Sequence, residues 1–491
     1  MNEQETIEAI EKELNFKFDG SSDSNKPWGD YYVNEKGQIY LVWFSNHKFT
    51  CFESVVLLLK DLKKLKHVYF SDCYFDDITP LKQLTKIDEI YIKGKNISDI
   101  SPLAYLKQLK SVVLIGPNIS DLTPLKNLTN IREIYLSNTK VTDLSPLKDM
   151  KNVVEFEMED TDLEDISAIQ GMTKLKNLYL CRNKIKDISA IEHLISLQEA
   201  EFEENKIEKI PSLKNLTKLK TLGLSQNCIA DISNLVCEHN IKMILLSDNK
   251  ITDISPIKNA THIERLFLAG NAISNLDALA NLTRLHELCL SENKIKDISA
   301  LKNLKKLTSI DLDRNNIHDI TPLASLKKLY SLNLAHNKIE DVSALKALSR
   351  ISFLELHCNR IKDVSALKDI QELFVLMLHH NPIRDISTLK ELPRLNQLTL
   401  SMDDFDDFST LIDLPKLHQL DLDGPLKDLS PLLPLFQRKK FHITYYGNKE
   451  IKLPKKIIVQ GIESLKKHVD KLDSGAKKTS EPEEHSVVFN C

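Results

Sequence analysis

The chain repeats itself every 22 residues. An aliphatic residue recurs at 65, 87, 109, 131, 153, 175, 197, 219, 241, 263, 285, 307, 329, 351, 373, 395 and 417, giving seventeen units with no insertion or deletion. A length of 491 residues alone would suggest about three globular domains. A fixed period of this size instead describes one supersecondary unit stacked on copies of itself around one elongated core. Each unit reads L-x-x-L-x-L-x-x-N-x-I-x-D-I-S-x-L-x-x-L, clearest from Leu285 (position 1) to Leu304. The alternation at positions 4 to 6 predicts a short strand with one buried face. Stacking the units makes these strands a parallel sheet.

Position 9 is Asn in ten consecutive units, Asn183 to Asn381 in steps of 22, and Cys73, Lys95, Pro117, Thr139 and Thr161 in the units before them. A buried amide offers two donors and an acceptor, so the Asn column is expected to satisfy turn backbone in its own and neighbouring units. Ser or Thr at 79, 101, 123, 145, 255 and 321 precedes Pro. That pairing predicts an N-cap hydroxyl followed by proline at the first position of a short helical turn on the outer side. Asn and Ser/Thr-Pro turns also account for a chain with only 12 glycines.

The repeat pattern, over about three quarters of the chain, is that of leucine-rich repeats. Its short form with Asp-Ile-Ser-Pro/Ala-Leu resembles the bacterial internalin type and the leucine-rich phosphatase regulators. The fold this implies is α/β: a leucine-rich repeat solenoid, or horseshoe, with a parallel inner sheet, short helical turns outside and a cap at each end. Residues 1–64 are expected to form the N-terminal cap, 65–437 the repeats, 438–469 the C-terminal cap and 470–491 a polar tail. The first cap should hold a helix carrying Ile7, Ile10, Leu14 and Phe18, then strands Tyr31–Val33 and Gln38–Phe44 around Asn34 to Gly37. Trp28 and Trp43 are read as cap core, with a partner contact as the alternative. In the second cap, Pro454, Ile458, Val459, Gln460 and Gly461 resemble the closing segment of Roco-type proteins. A GTPase follows that segment in Roco proteins, and here only the polar tail does.

Function classes narrow by exclusion. No glycine pair falls in a GxGxxG, GxxxxGK[ST] or GxSxG frame. The net charge of -4 and 56 Lys against 10 Arg speak against nucleic acid. The eight cysteines form no CxxC pair and fit free thiols in a reducing cytosol. The N-terminus lacks a basic and apolar secretion signal, and no run approaches the roughly 20 residues that cross a bilayer. The expected location is cytoplasmic, without membrane contact or cofactor.

Positions 3, 5, 7 and 8 face away from the core and are free of the folding pattern, and four patches fall on them. Tyr69, Tyr91, Tyr135 and Tyr179 form a column at position 5, suited to partner binding or to mere pairing across strands. An acidic patch comprises Glu155, Glu157, Glu159 and Asp160, then Glu199, Glu201, Glu203 and Glu204. It suggests a basic partner surface or a solubilising face. Met243, Leu245 and Phe267 offer an apolar docking spot or bury one another. His336, His357, His379 and His380 cluster near Cys358, Met377 and Phe353. They suggest partner contact, a pH-sensitive contact or, less favoured, a transition-metal site on His336, His357, Cys358, His379 and His380.

The expectation is a non-enzymatic recognition scaffold that binds a protein on its inner face, as sensor or adaptor subunit beside a separate effector chain. The Lys-rich composition and the Roco-like segment suggest a bacterial protein within a defence complex. The alternatives are a regulatory subunit of a phosphatase or other enzyme and, further off, a metal-dependent enzyme using Glu201 and Glu203 or the His patch.

Overall fold

A computed structural model describes residues 2–18, 30–49, 51–74, 77–235, 240–402, 409–424, 429–438, 441–446 and 450–453, with Lys456 and Lys467 besides. Trp28, the Roco-like residues 454 and 458–461 and the tail lie outside them. The chain divides into two units, Met1–Ile241 and Lys242–Cys491.

The first unit opens with helix α1 (Glu3–Leu14), capped by Asn2 in a reciprocal box with Glu5 and ended by Asn15 at φ 50°. Ile7 and Ile10 are buried on it. Phe18 lies beyond the helix and packs on Phe44 and Tyr31 at 5.8 and 6.3 Å between ring centroids. Strands β1 (Tyr31–Val33) and β2 (Ile39–Ser45) form an antiparallel hairpin. A second cap helix, α2 (Phe52–Asp61), buries Val55, Val56 and Leu59; its apolar run is too short to display a helical period.

Parallel strands follow: β3 (His67–Ser71), β4 (Glu89–Lys93), β5 (Ser111–Ile115), β6 (Glu133–Ser137), β7 (Glu155–Glu159), β8 (Asn177–Tyr179), β9 (Glu199–Glu201) and β10 (Thr221–Gly223). Each pairs with the next at a register of 22 residues. The parallel array begins inside the expected cap, because β2 pairs with β3 and sets Trp43 beside Tyr69. Trp43 thus shares the face opposite the buried Val42 and Phe44.

The second unit repeats the arrangement with β11 (Met243–Leu245), β12 (Arg265–Phe267), β13 (Glu287–Cys289), β14 (Ser309–Asp311), β15 (Ser331–Asn333), β16 (Phe353–Glu355), β17 (Val375–Met377), β18 (Gln397–Ser401) and β19 (Gln419–Asp423), and then β20 (His442–Tyr446), which pairs with β19 one residue out of the period. It closes with β21 (Glu450–Leu453), antiparallel to β20. An antiparallel hairpin therefore stands at each terminus of the repeats, where an open sheet edge would invite further pairing.

The Asn column works as expected. Asn293 donates to the carbonyls of Leu268, Leu290 and Ser291 at 2.9, 3.2 and 3.0 Å and accepts from the N–H of Ile273 at 2.9 Å. The outer turns are 3₁₀ turns, and their capping differs from expectation. The Ser or Thr is itself the first turn residue and its hydroxyl caps nothing; the preceding Asp does that work. Ser299 N–H donates to Asp297 Oδ1 at 2.7 Å, and the same bond recurs at Asp77, Asp187, Asp319 and Asp385.

Glycine scarcity also has a cost that pattern reading missed. Position 8 takes a left-handed backbone in unit after unit, filled by Asp160, Arg182, Glu204, Gln226, Glu292, Arg314, His336, Cys358 and His380 at φ 48–55°. Side chains other than Gly are strained there.

Candidate functional site

In β3, β4, β6 and β7 the buried residues are positions 4 and 6, so positions 3, 5 and 7 share the inner face. Trp43 stands edge-on to Tyr69 at 6.2 Å, and Tyr69 is tilted against Tyr91 at 5.8 Å. Val113 separates this group from Tyr135 on the next strand.

The tyrosine hydroxyls are engaged by a rule the sequence pattern did not reveal. Tyr69, Tyr135 and Tyr179 each donate to the position-3 glutamate of the following unit: Glu89 at 2.7 Å, Glu155 at 2.9 Å and Glu199 at 2.8 Å. Burial, then the adjoining carboxylate, pushes all three phenols above their ordinary value. Rings held this way are half-buried and tethered at their hydroxyls.

The acidic patch resolves into paired and unpaired members. Arg182 bridges Glu159 at 2.5 Å and Asp160 at 2.7 Å, and Lys184 holds Asp162 at 2.7 Å. Glu155 and Glu199 hold tyrosines. Glu203 and Glu204 are exposed. Glu157 and Glu201 are half-buried and make no hydrogen bond or ion pair among the described residues. Burial, and then repulsion from Glu159 and Glu155 on one and from Glu199 and Glu203 on the other, raises their pKa values.

The second unit treats its candidates differently. Met243 and Leu245 are half-buried, whereas Phe267 is 5% exposed beneath Arg265, whose guanidinium lies 5.4 Å from the ring centre. The apolar spot is thus partly spent on itself. Phe353 belongs to an aromatic group with Tyr330 and Phe374, at 5.3 and 6.5 Å, and these two partners are exposed. They sit at position 2, which pattern reading assigned no face. Met377 is buried.

The histidines are neighbours without converging. His357 and His379 stack at 4.3 Å and 10° between planes. Burial holds them neutral, with pKa values lowered to about 2 and about 3. His336 meets Asp313 at 3.0 Å and is raised to about 10, by Asp313 first and Cys358 second. His380 reaches Asp423 at 2.8 Å. Among the described residues no three His, Cys, Asp or Glu side chains are arranged to hold a metal ion. Among the described residues, free thiols stand at Cys51, Cys73, Cys181, Cys228 and Cys358.

A cleft of about 380 Å³ in the first unit is lined by residues of two outer turns, Asp165, Ser167, Lys186, Asp187 and His193 among them. Its two aspartates already cap those turns. Among the described residues no helix is long and apolar enough to cross a membrane.

Family models match along the array. A BspA type leucine-rich repeat region (6 copies) covers 39–156, leucine-rich repeats (2 copies) cover 195–237, 239–281 and 283–325, and a further leucine-rich repeat covers 305–361. The chain is a leucine-rich repeat protein. Among solved structures, this leucine-rich repeat chain is similar to an internalin of Listeria monocytogenes at 29% identity and TM-score 0.56, over 66% of this chain and 89% of that one. A leucine-rich repeat protein of Leptospira interrogans matches at 22% identity and TM-score 0.64, over 69% and 91%. The leucine-rich repeat ectodomain of an Arabidopsis thaliana membrane receptor kinase, solved in complex with Casparian strip integrity factor 2, matches at 16% and 0.62, over 90% and 64%. No curated protein matches significantly.

Proposed function

We propose that this protein is a non-enzymatic recognition scaffold, a cytoplasmic sensor or adaptor subunit that takes a protein partner with a basic surface and passes the event to a separate effector chain. The observation carrying this reading is the inner face of the first unit. Trp43 and four half-buried tyrosines are lined up there beside Glu157 and Glu201, two carboxylates that the fold leaves unbalanced. Large, pre-ordered aromatic area with a polar edge is what binding surfaces favour, and uncompensated like charge costs stability that a cationic partner would recover. Solenoids serve as extended binding surfaces in general, and the Arabidopsis receptor ectodomain was solved in complex with Casparian strip integrity factor 2.

The test is affinity purification of the tagged protein from its host, beside a Glu157→Lys/Glu201→Lys/Glu204→Lys variant. The partner is then identified by mass spectrometry and titrated calorimetrically in purified form. The variant should melt no lower than the parent and bind the partner at least about tenfold more weakly. Equal affinity of parent and variant would remove this face from the proposal.

A further inference from the structure

The position-5 column of the first unit alternates in chemistry where it runs through β6 to β9. Tyr135 pairs in register with Glu157, Glu157 with Tyr179, and Tyr179 with Glu201. At roughly 4.8 Å per strand, the two unpaired carboxylates stand about 9.6 Å apart with a tyrosine ring between them. The neighbouring cations are spoken for, Arg182 by Glu159 and Asp160, and Lys184 by Asp162. After Glu201 the column continues with Gly223, where an added Cβ would lie 3.2 Å from Glu201 Cγ. Glycine there leaves the Glu201 side chain the room it occupies.

A chain lying across these strands must present cations at that spacing on one side. In an extended strand, residues i and i+2 share a side and are about 6.6 Å apart, while i+3 points away. In polyproline II the rise of about 3.1 Å per residue with three residues per turn returns the same side every 9.3 Å. That matches two strand steps. It also places the intervening residues over Tyr179, with Tyr135 flanking Glu157 on the other side, and aromatic rings are the usual seats for polyproline II segments. The rings can hold the aliphatic stems of Lys or Arg and attract their charged ends.

We infer that the partner segment seated on β6 to β9 is a basic stretch in polyproline II conformation, with Lys or Arg at every third residue facing Glu157 and Glu201. This rests on the scaffold reading above and narrows it to a ligand class. Burial first and repulsion from neighbouring carboxylates second raise the pKa values of the two glutamates, and a bound cation would relieve the second of these.

Two labelled peptides of equal composition test the spacing: four repeats of Lys-Pro-Pro, and a block of four Lys followed by eight Pro. Fluorescence anisotropy with the full chain should show the repeating peptide binding about tenfold more tightly than the block. Glu157→Gln/Glu201→Gln should abolish that preference while melting no lower than the parent, which establishes that the variant is folded. Equal binding of both peptides, indifference to the double variant, or no binding of either would overturn the inference. The host partner separates the two readings. If the triple Lys variant loses the partner but the repeating peptide does not bind, the scaffold stands and the polyproline II ligand falls. If partner binding also survives, both fall.

Discussion

Units with Asn at position 9 and units without it differ in how far their strands run. The five units that carry Cys73, Lys95, Pro117, Thr139 and Thr161 have five-residue strands, β3 to β7. The ten Asn units have three-residue strands, β8 to β17. Where Asn disappears again, at position 403, β18 returns to five residues. The hydrogen bonds give the reason. The Asn amide takes the carbonyls at positions 6 and 7 of its own unit and at position 6 of the unit before, and so turns the chain two residues early. Cys73 reaches two such carbonyls, and only through its weakly donating thiol, Phe44 at 3.3 Å and Ser71 at 3.7 Å. Without the amide, positions 6 and 7 stay in the ladder and position 7 joins the inner face. Tyr69, Tyr91 and Tyr135 all sit in the long-strand units. The solenoid is therefore most regular where the side chain does the turning and widest in its inner face where it does not.

Asn293→Ala tests that comparison most severely. It removes one of two partners from each of three carbonyls and takes the acceptor from the Ile273 N–H at a buried site, which should cost about 3 kcal/mol in urea denaturation. Thr139→Ala in a long-strand unit should cost about 1 kcal/mol, since Thr139 Oγ1 accepts one long bond, from Val141 N–H at 3.5 Å. Equal losses would mean that strand length and the amide are unrelated. Next in size is Gly116→Ala, also among the long strands. Its Cβ would lie 2.4 Å from the Gly94 carbonyl oxygen, so backbone must move, at about 1–3 kcal/mol. A melting temperature unchanged from the parent would show that these units yield more readily than their packing implies.

The fold was legible in the sequence because a 22-residue period repeated seventeen times fixes strand, turn and register at once. The α2 helix was not, since ten residues hold too few turns to show a period. Trp43 was misplaced for a related reason: β2 belongs to the sheet but not to the repeat, so counting in steps of 22 never reaches it. Site residues were legible as surface positions only. Which carboxylates remain unpaired depends on contacts 20 to 25 residues apart, such as Tyr179 with Glu199 and Arg182 with Glu159. Composition shows the charges and not their partners. The Ser/Thr-Pro turns were assigned correctly in place and wrongly in mechanism, because Asp and Ser both qualify as caps and only geometry decides between them.

The outer turns provide a smaller and pH-dependent contrast. Asp297→Ala should cost about 0.5–2 kcal/mol through the lost cap, whereas Asp297→Asn should be nearly neutral at pH 7. Asn275 already caps the equivalent turn, accepting from Asp277 N–H at 2.7 Å. The N–H of Ser299 holds the Asp297 carboxyl below its ordinary value. Its contribution is therefore full above the unfolded-state pKa near 4 and fades as pH falls through the folded value. Denaturation between pH 5 and 3 should show a shallower acid loss for Asp297→Asn than for the parent, and identical slopes would remove Asp297 from the acid limb.

Glu157 and Glu201 reverse that sign. Their folded-state values lie above the unfolded ones, so the folded chain prefers them protonated and their ionised forms penalise it. The penalty is present above the folded-state values and disappears as pH falls through them to the unfolded values. Both groups remain partly exposed to water, which screens the effect to a few tenths of a kcal/mol. Glu157→Gln/Glu201→Gln should raise the melting temperature slightly at pH 7, leave it unchanged at pH 3, and shrink in effect as salt rises. A double variant that melts below its parent at pH 7 would mean that these carboxylates support the fold, and the inner face of β7 to β9 would lose its claim to charge held in reserve for a partner.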